Sequence, residues 1–92
     1  MHKNFLEIII ETEGATDPIA TLRKQLRDVI RSVSAEAYIG FSDDADEDQQ
    51  VVVFGVARDV LDKIEMALTR QRKFLPIAAM ARKADGLPPK NL

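Results

Sequence analysis

An α+β fold, with helices packed on one face of an antiparallel sheet, follows from three features of this 92-residue sequence. Two segments alternate apolar and outward-facing residues with period two. A third, "VVVFGVA", is a run of strong strand formers. Two others carry their apolar residues at the spacing of one helical stripe. The chain is the length of one small domain, predicted over residues 1–86, with 87–92 ("LPPKNL") as a flexible tail.

The elements follow in order. "FLEIIIET", Phe5 to Thr12, sets Leu6, Ile8 and Ile10 against Glu7, Ile9 and Glu11 and predicts a first strand. "EGATDP" is a loop, with Asp17 placed to cap a helix and Pro18 suited to its first position. Ile19, Leu22, Leu26, Val29, Ile30 and Val33 then form the apolar stripe of the first helix. "AEAYIGFS" returns to period two, with Ala37, Ile39 and Phe41 on one face and Glu36 and Tyr38 on the other. An acidic stretch and "VVVFGVA" follow, which reads as a hairpin with the acidic residues at its tip. Gly55 predicts a bulge or a close backbone approach. Which alternate set of this strand faces outward, Val51 and Val53 or Val52, Phe54 and Val56, is left open.

"RDVLDKIEMALTRQ" is a second helix, capped by Asp59, with Val60, Leu61, Ile64, Ala67 and Leu68 as its stripe. Pro76 breaks the chain after it. Ile77, Met80, Ala81 and Ala84 then stand at helical spacing, with Gly86 as a cap, which favours a short third helix; a fourth strand over residues 74–84 is the alternative. A right-handed crossover from the first strand leaves room for the third strand between the first two. The order βαββα, with a short C-terminal helix or fourth strand, resembles a ferredoxin-like plait in topology.

Composition excludes much chemistry. Without cysteine there is neither a disulfide framework nor a thiolate metal site. No apolar run approaches the ~20 residues of a membrane span. Glu7 and Glu11 interrupt the apolar N-terminal segment, so it reads as structure and not as targeting, and a cytoplasmic protein is expected. The single histidine, His2, sits at the terminus. There is no glycine-rich phosphate loop, and no serine has a base partner in view. No catalytic residue, cofactor or metal site is predicted.

The net charge of −2 averages over separated blocks. Asp43, Asp44, Asp46, Glu47 and Asp48 crowd one short stretch. Asp44, Asp46 and Asp48 match the first three ligand positions of an EF-hand loop, but Gln49 stands where its glycine belongs and Gly55 where its final acid belongs. The stretch reads instead as a solvated tip, or as a secondary acidic contact that imitates nucleic-acid phosphates in a basic protein groove.

The basic residues carry the functional expectation. Arg23, Lys24, Arg27 and Arg31 lie away from the stripe of the first helix, and Arg23, Arg27 and Arg31 are four apart. Like charges so aligned repel weakly in an isolated helix, and a surface with only a structural role more often alternates signs. Planar guanidinium groups in a row suit phosphate or carboxylate. Arg70, Arg72 and Lys73, with Arg82 and Lys83, extend that surface or form another.

Sheet-face RNA recognition is disfavoured, because Tyr38 stands among Glu7, Glu11 and Glu36. The expected function is a non-catalytic inhibitor or adaptor that docks through its basic helix face on a protein or protein–nucleic-acid complex. A phage-type inhibitor of a host defence nuclease complex fits this profile. The alternative resembles the ACT-like class: a regulatory domain holding a small metabolite at a dimer interface, with "EGATDP" as the glycine-containing turn after the first strand. Apolar residues on the open sheet face make homodimerisation through the sheet a further expectation.

Overall fold

A computed structural model of the chain describes residues 4–41 and 50–83. Its elements are β1 (Phe5–Ile10), α1 (Ile19–Val33), β2 (Tyr38–Phe41), β3 (Gln50–Phe54), α2 (Arg58–Arg70) and β4 (Ile77–Lys83). The four strands form one antiparallel sheet in the order β2-β3-β1-β4. The molecule is an α+β fold. The acidic connection between β2 and β3, residues 43–48, and the expected tail at 87–92 lie outside the described residues.

The register explains which side chains meet. Leu6 faces Val53 and Ile8 faces Val51, so period two sends Leu6, Ile8, Ile10, Val51 and Val53 to the same side of the sheet. Leu22, Leu26 and Ile30 of α1 and Leu61, Ile64 and Leu68 of α2 close on that side, and all eleven belong to one buried cluster. Both helices therefore cover one face. Each fully buried leucine or isoleucine contributes roughly 1.5–3 kcal/mol relative to an exposed one.

The other face carries Glu7, Ile9, Gln50, Val52, Phe54 and Tyr38. The outward set of β3 is thus Val52 and Phe54, yet Val52 is fully buried. Gln50 Nε2 donates to Glu7 Oε2 at 2.9 Å on this face. Tyr38 and Phe54, directly opposed in the ladder, stack with centroids 5.5 Å apart.

Three local expectations are corrected. Residues 77–83 form a strand and not the favoured third helix. Alanine-rich "IAAMARK" is locally a good helix former, but β1 has a second edge whose backbone groups need partners, and β4 pairs with it from Phe5↔Lys83 to Ile10↔Ile77. Pro76 sits just before the strand, where a missing donor costs little. The two capping residues also move. α1 is capped by Pro18, whose extended ψ keeps it outside the helix while its carbonyl accepts from the Thr21 and Leu22 amides at 3.0 and 3.2 Å. α2 is capped by Ala57, whose carbonyl accepts from Val60 and Leu61. Neither Asp17 nor Asp59 supplies a side-chain cap. Asp59 falls in the first turn, where its charge still suits the positive helix end.

Gly55, just past β3, has φ +80°. A Cβ built there would lie 2.2 Å from Cδ2 of Tyr38. The close approach expected of this glycine is the packing of its backbone against the Tyr38 ring.

Candidate docking surface

The topology sorts the basic residues into separate places. α1 leans over the β2 edge, because the Arg23 guanidinium lies over the Phe41 ring at 5.1 Å from its centroid. α2 leans over the β4 edge, because Arg82 of β4 reaches Asp62 and Glu65 of α2. β2 and β4 are opposite edges of the sheet, three strand spacings or about 14 Å apart.

The α1 residues are not equivalent. Lys24 Nζ donates to Asp28 Oδ2 at 2.8 Å, an exposed pair one turn apart. Arg27 is exposed and makes no hydrogen bond or ion pair among the described residues. Arg31 turns toward its own chain and donates to the carbonyls of Ala35 and Ala37, at 2.9 and 2.5 Å. Those bonds tie the loop after α1 to the last turn of the helix, where positive charge is also favoured. The aligned row is thus shortened to Arg23 and Arg27. With Ala20, Lys24 and Phe41 they line a shallow depression of about 280 Å³.

Arg70 ends α2, and Arg72 and Lys73 follow in the turn before β4. Arg72 Nη2 donates to the Ala78 carbonyl at 3.1 Å. Phe74 beside them is 82% exposed. Ile10 pairs with Ile77, so this turn enters β4 beside the exit of β1, at the sheet end where the chain leads into α1. Arg23, Arg70, Arg72 and Lys73 therefore lie toward one end of the molecule, with Arg27 at the middle of α1. Phe41 and Gln50, the anchors of the acidic connection, are at that end as well.

Arg82 and Lys83 lie at the other end. Arg82 donates through Nη1 to Asp62 and, at 3.3 Å, to Glu65. The hydrogen bond it donates to Asp62 holds its guanidinium pKa above the usual value, against the opposing effect of burial. Its aliphatic stem bridges β4 and α2, which makes this an internal contact. Arg82→Met should therefore change stability by no more than about 1 kcal/mol in urea unfolding, since Asp62 and Glu65 both retain solvent. Arg82→Ala should cost more by removing the stem.

Sequence reasoning missed two groups. Phe41 was legible as a core-facing residue, but its contact with Arg23 needs the α1 placement. Arg58, at the start of α2, lines a depression with Arg82 and Lys83; its neighbour Asp59 had drawn the reading of that helix start. Among the described residues, no three histidine or carboxylate groups stand close enough to share a metal ion, and no helix is long and apolar enough to cross a membrane.

No protein-family model matches the chain, and no curated protein matches it. A solved structure that it resembles is the X-ray crystal structure of protein Atu4242 from Agrobacterium tumefaciens. The two are 12% identical over 99% of this chain and 97% of that one, with a TM-score of 0.51. At that identity the likeness concerns the fold alone.

Proposed function

We propose that the chain is a non-catalytic binding protein, an inhibitor or adaptor, that docks through basic residues on a nucleic-acid-containing protein assembly in the cytoplasm. The contact is made by Arg23, Lys24 and Arg27 of α1 and by Arg70, Arg72 and Lys73. The observation that carries this reading is Arg27, exposed and unpartnered among the described residues, one turn from an Arg23 seated on Phe41. An arginine held against a ring is partly ordered before it binds, so less entropy is lost in the complex. The acidic connection emerges at the same end and supplies the secondary contact, to basic groups of the partner. A phage-type inhibitor of a host defence nuclease complex is a protein of this kind. Its frame is a ferredoxin-like plait, a reading supported by the element order βαββαβ and the strand order β2-β3-β1-β4.

The test is affinity capture from native lysate at low salt, with retained proteins and nucleic acids identified. Retention of a nucleoprotein assembly should be lost in the double variant Arg23→Glu, Arg27→Glu. It should also weaken steeply with salt, by about one log unit of affinity per log unit of salt for each phosphate neutralised. Retention indifferent to both overturns the reading.

One observation favours a second reading. Gly14, in the turn after β1, has φ +75°, and no described residue comes within 4 Å of where its Cβ would be, so the glycine turn that this reading needs is present and uncrowded. This supports the ACT-like alternative, a metabolite-binding dimer joined through the face that carries Tyr38 and Phe54. Thermal stabilisation by an amino acid or nucleotide, with no assembly captured, would move the conclusion there.

A further inference from the structure

We propose that the depression at the start of α2 is a site for a phosphate dianion or a small phosphomonoester, distinct from the docking surface and independent of that reading. It has a volume of about 230 Å³ and is lined by Asn4, Arg58, Asp62, Arg82 and Lys83. Among the described residues of the lining three are cations, drawn together from α2 and β4. Arg58 and Lys83 are exposed and make no ion pair among the described residues. Asp62 is the single acid of the lining among the described residues and is already engaged by Arg82. Arg82 is fixed in the wall by Asp62 and Glu65, and its Nε is buried with no hydrogen-bond partner. The described lining thus keeps a net positive charge.

The helix start adds to this. α2 opens with Ala57 as its cap, and Ala57 has no side chain that could bond the first-turn amides. The helix dipole favours an anion near this end, with Asp59 in the first turn offsetting part of it. Arg58 offers a planar fork of donors, Lys83 a point charge and Asn4 an amide donor, the mixed set that recognises phosphate oxygens. The volume lies below the ~300–1,000 Å³ of sites for drug-sized ligands, which fits a phosphate group carrying at most a small organic part.

Titration of the whole chain, followed by amide NMR, tests the site with three probes: inorganic phosphate, a nucleoside monophosphate, and a single-stranded oligonucleotide without terminal phosphates. Sodium chloride at matched ionic strength is the reference. The first two probes should give saturable shifts at Arg58, Asp59 and Lys83, with a dissociation constant on the order of 1 mM for inorganic phosphate. Tighter binding of the monophosphate identifies a phosphomonoester as the ligand; equal binding identifies the free ion. Arg58→Gln and Lys83→Gln should each weaken binding about tenfold, and Arg27→Gln should leave it unchanged. Arg58 and Lys83 are exposed, so their variants should keep the wild-type unfolding midpoint, which a parallel melt checks. Shifts equal to those in chloride, shifts with the oligonucleotide alone, or binding unaltered in Arg58→Gln would each overturn the proposal.

Discussion

Leu26→Ala should destabilise the protein by about 3 kcal/mol, within the 2–5 kcal/mol range for a truncated core leucine. Leu26 lies mid-way along α1 and is fully buried, on the helix face that also presents Leu22 and Ile30. Truncation removes its transfer free energy and leaves a cavity between α1 and the sheet, which two rigid elements cannot easily close. A domain of this size has a total stability of roughly 5–14 kcal/mol. The loss should lower the melting midpoint by about 10–20 °C and reduce the urea midpoint at unchanged slope. Arg27→Ala, on the opposite side of the same helix, should stay within about 0.5 kcal/mol. A Leu26→Ala cost below about 1 kcal/mol would show that α1 is not seated on the core.

Gly55→Ala should have the next largest effect, about 1–3 kcal/mol, for two separable reasons. The backbone at φ +80° disfavours any Cβ, and this Cβ would also lie 2.2 Å from the Tyr38 ring. The ring can escape only by giving up its stack on Phe54. In a Tyr38→Ala background the collision vanishes and the backbone cost of about 1 kcal/mol remains. The cycle should therefore return a coupling of about 1 kcal/mol. Gly14→Ala is an internal comparison: its φ is +75°, but the space around it is open, so only the backbone cost should appear. Equal losses at the two glycines would remove the ring contact from the explanation.

The two helices and the first three strands are legible because each has one face buried and the period survives intact in the residues. Leu22, Leu26 and Ile30 could occupy one side only of an α-helix, and Leu6, Ile8 and Ile10 one side only of a strand. β4 is not legible in this way. Its residues Ala78, Ala79 and Ala81 carry little hydrophobic signal and have a helical preference, and what makes them a strand is the unpaired edge of β1 some seventy positions earlier. The same limit applies to the basic residues. Spacing showed that Arg23, Arg27 and Arg31 share a side of α1. It could not show that Arg31 reaches the carbonyls of Ala35 and Ala37, or that Arg82 joins Asp62 and Glu65, because both depend on where the chain goes next. Caps were misplaced by one or two residues at Asp17 and Asp59, because a backbone carbonyl from Pro18 or Ala57 opens a helix without any side-chain signature.

The central position of β1 has a consequence in time. Among the described strands it comes first along the chain, yet its partners are β3 and β4, and β4 comes last. During synthesis the two backbone edges of β1 stay unpaired until residues 50–54 and then 77–83 arrive. Contacts so distant along the chain close slowly. Until β4 docks, β1 offers an open edge to any other nascent chain, so the last strand acts as a latch against aggregation while the protein is being made.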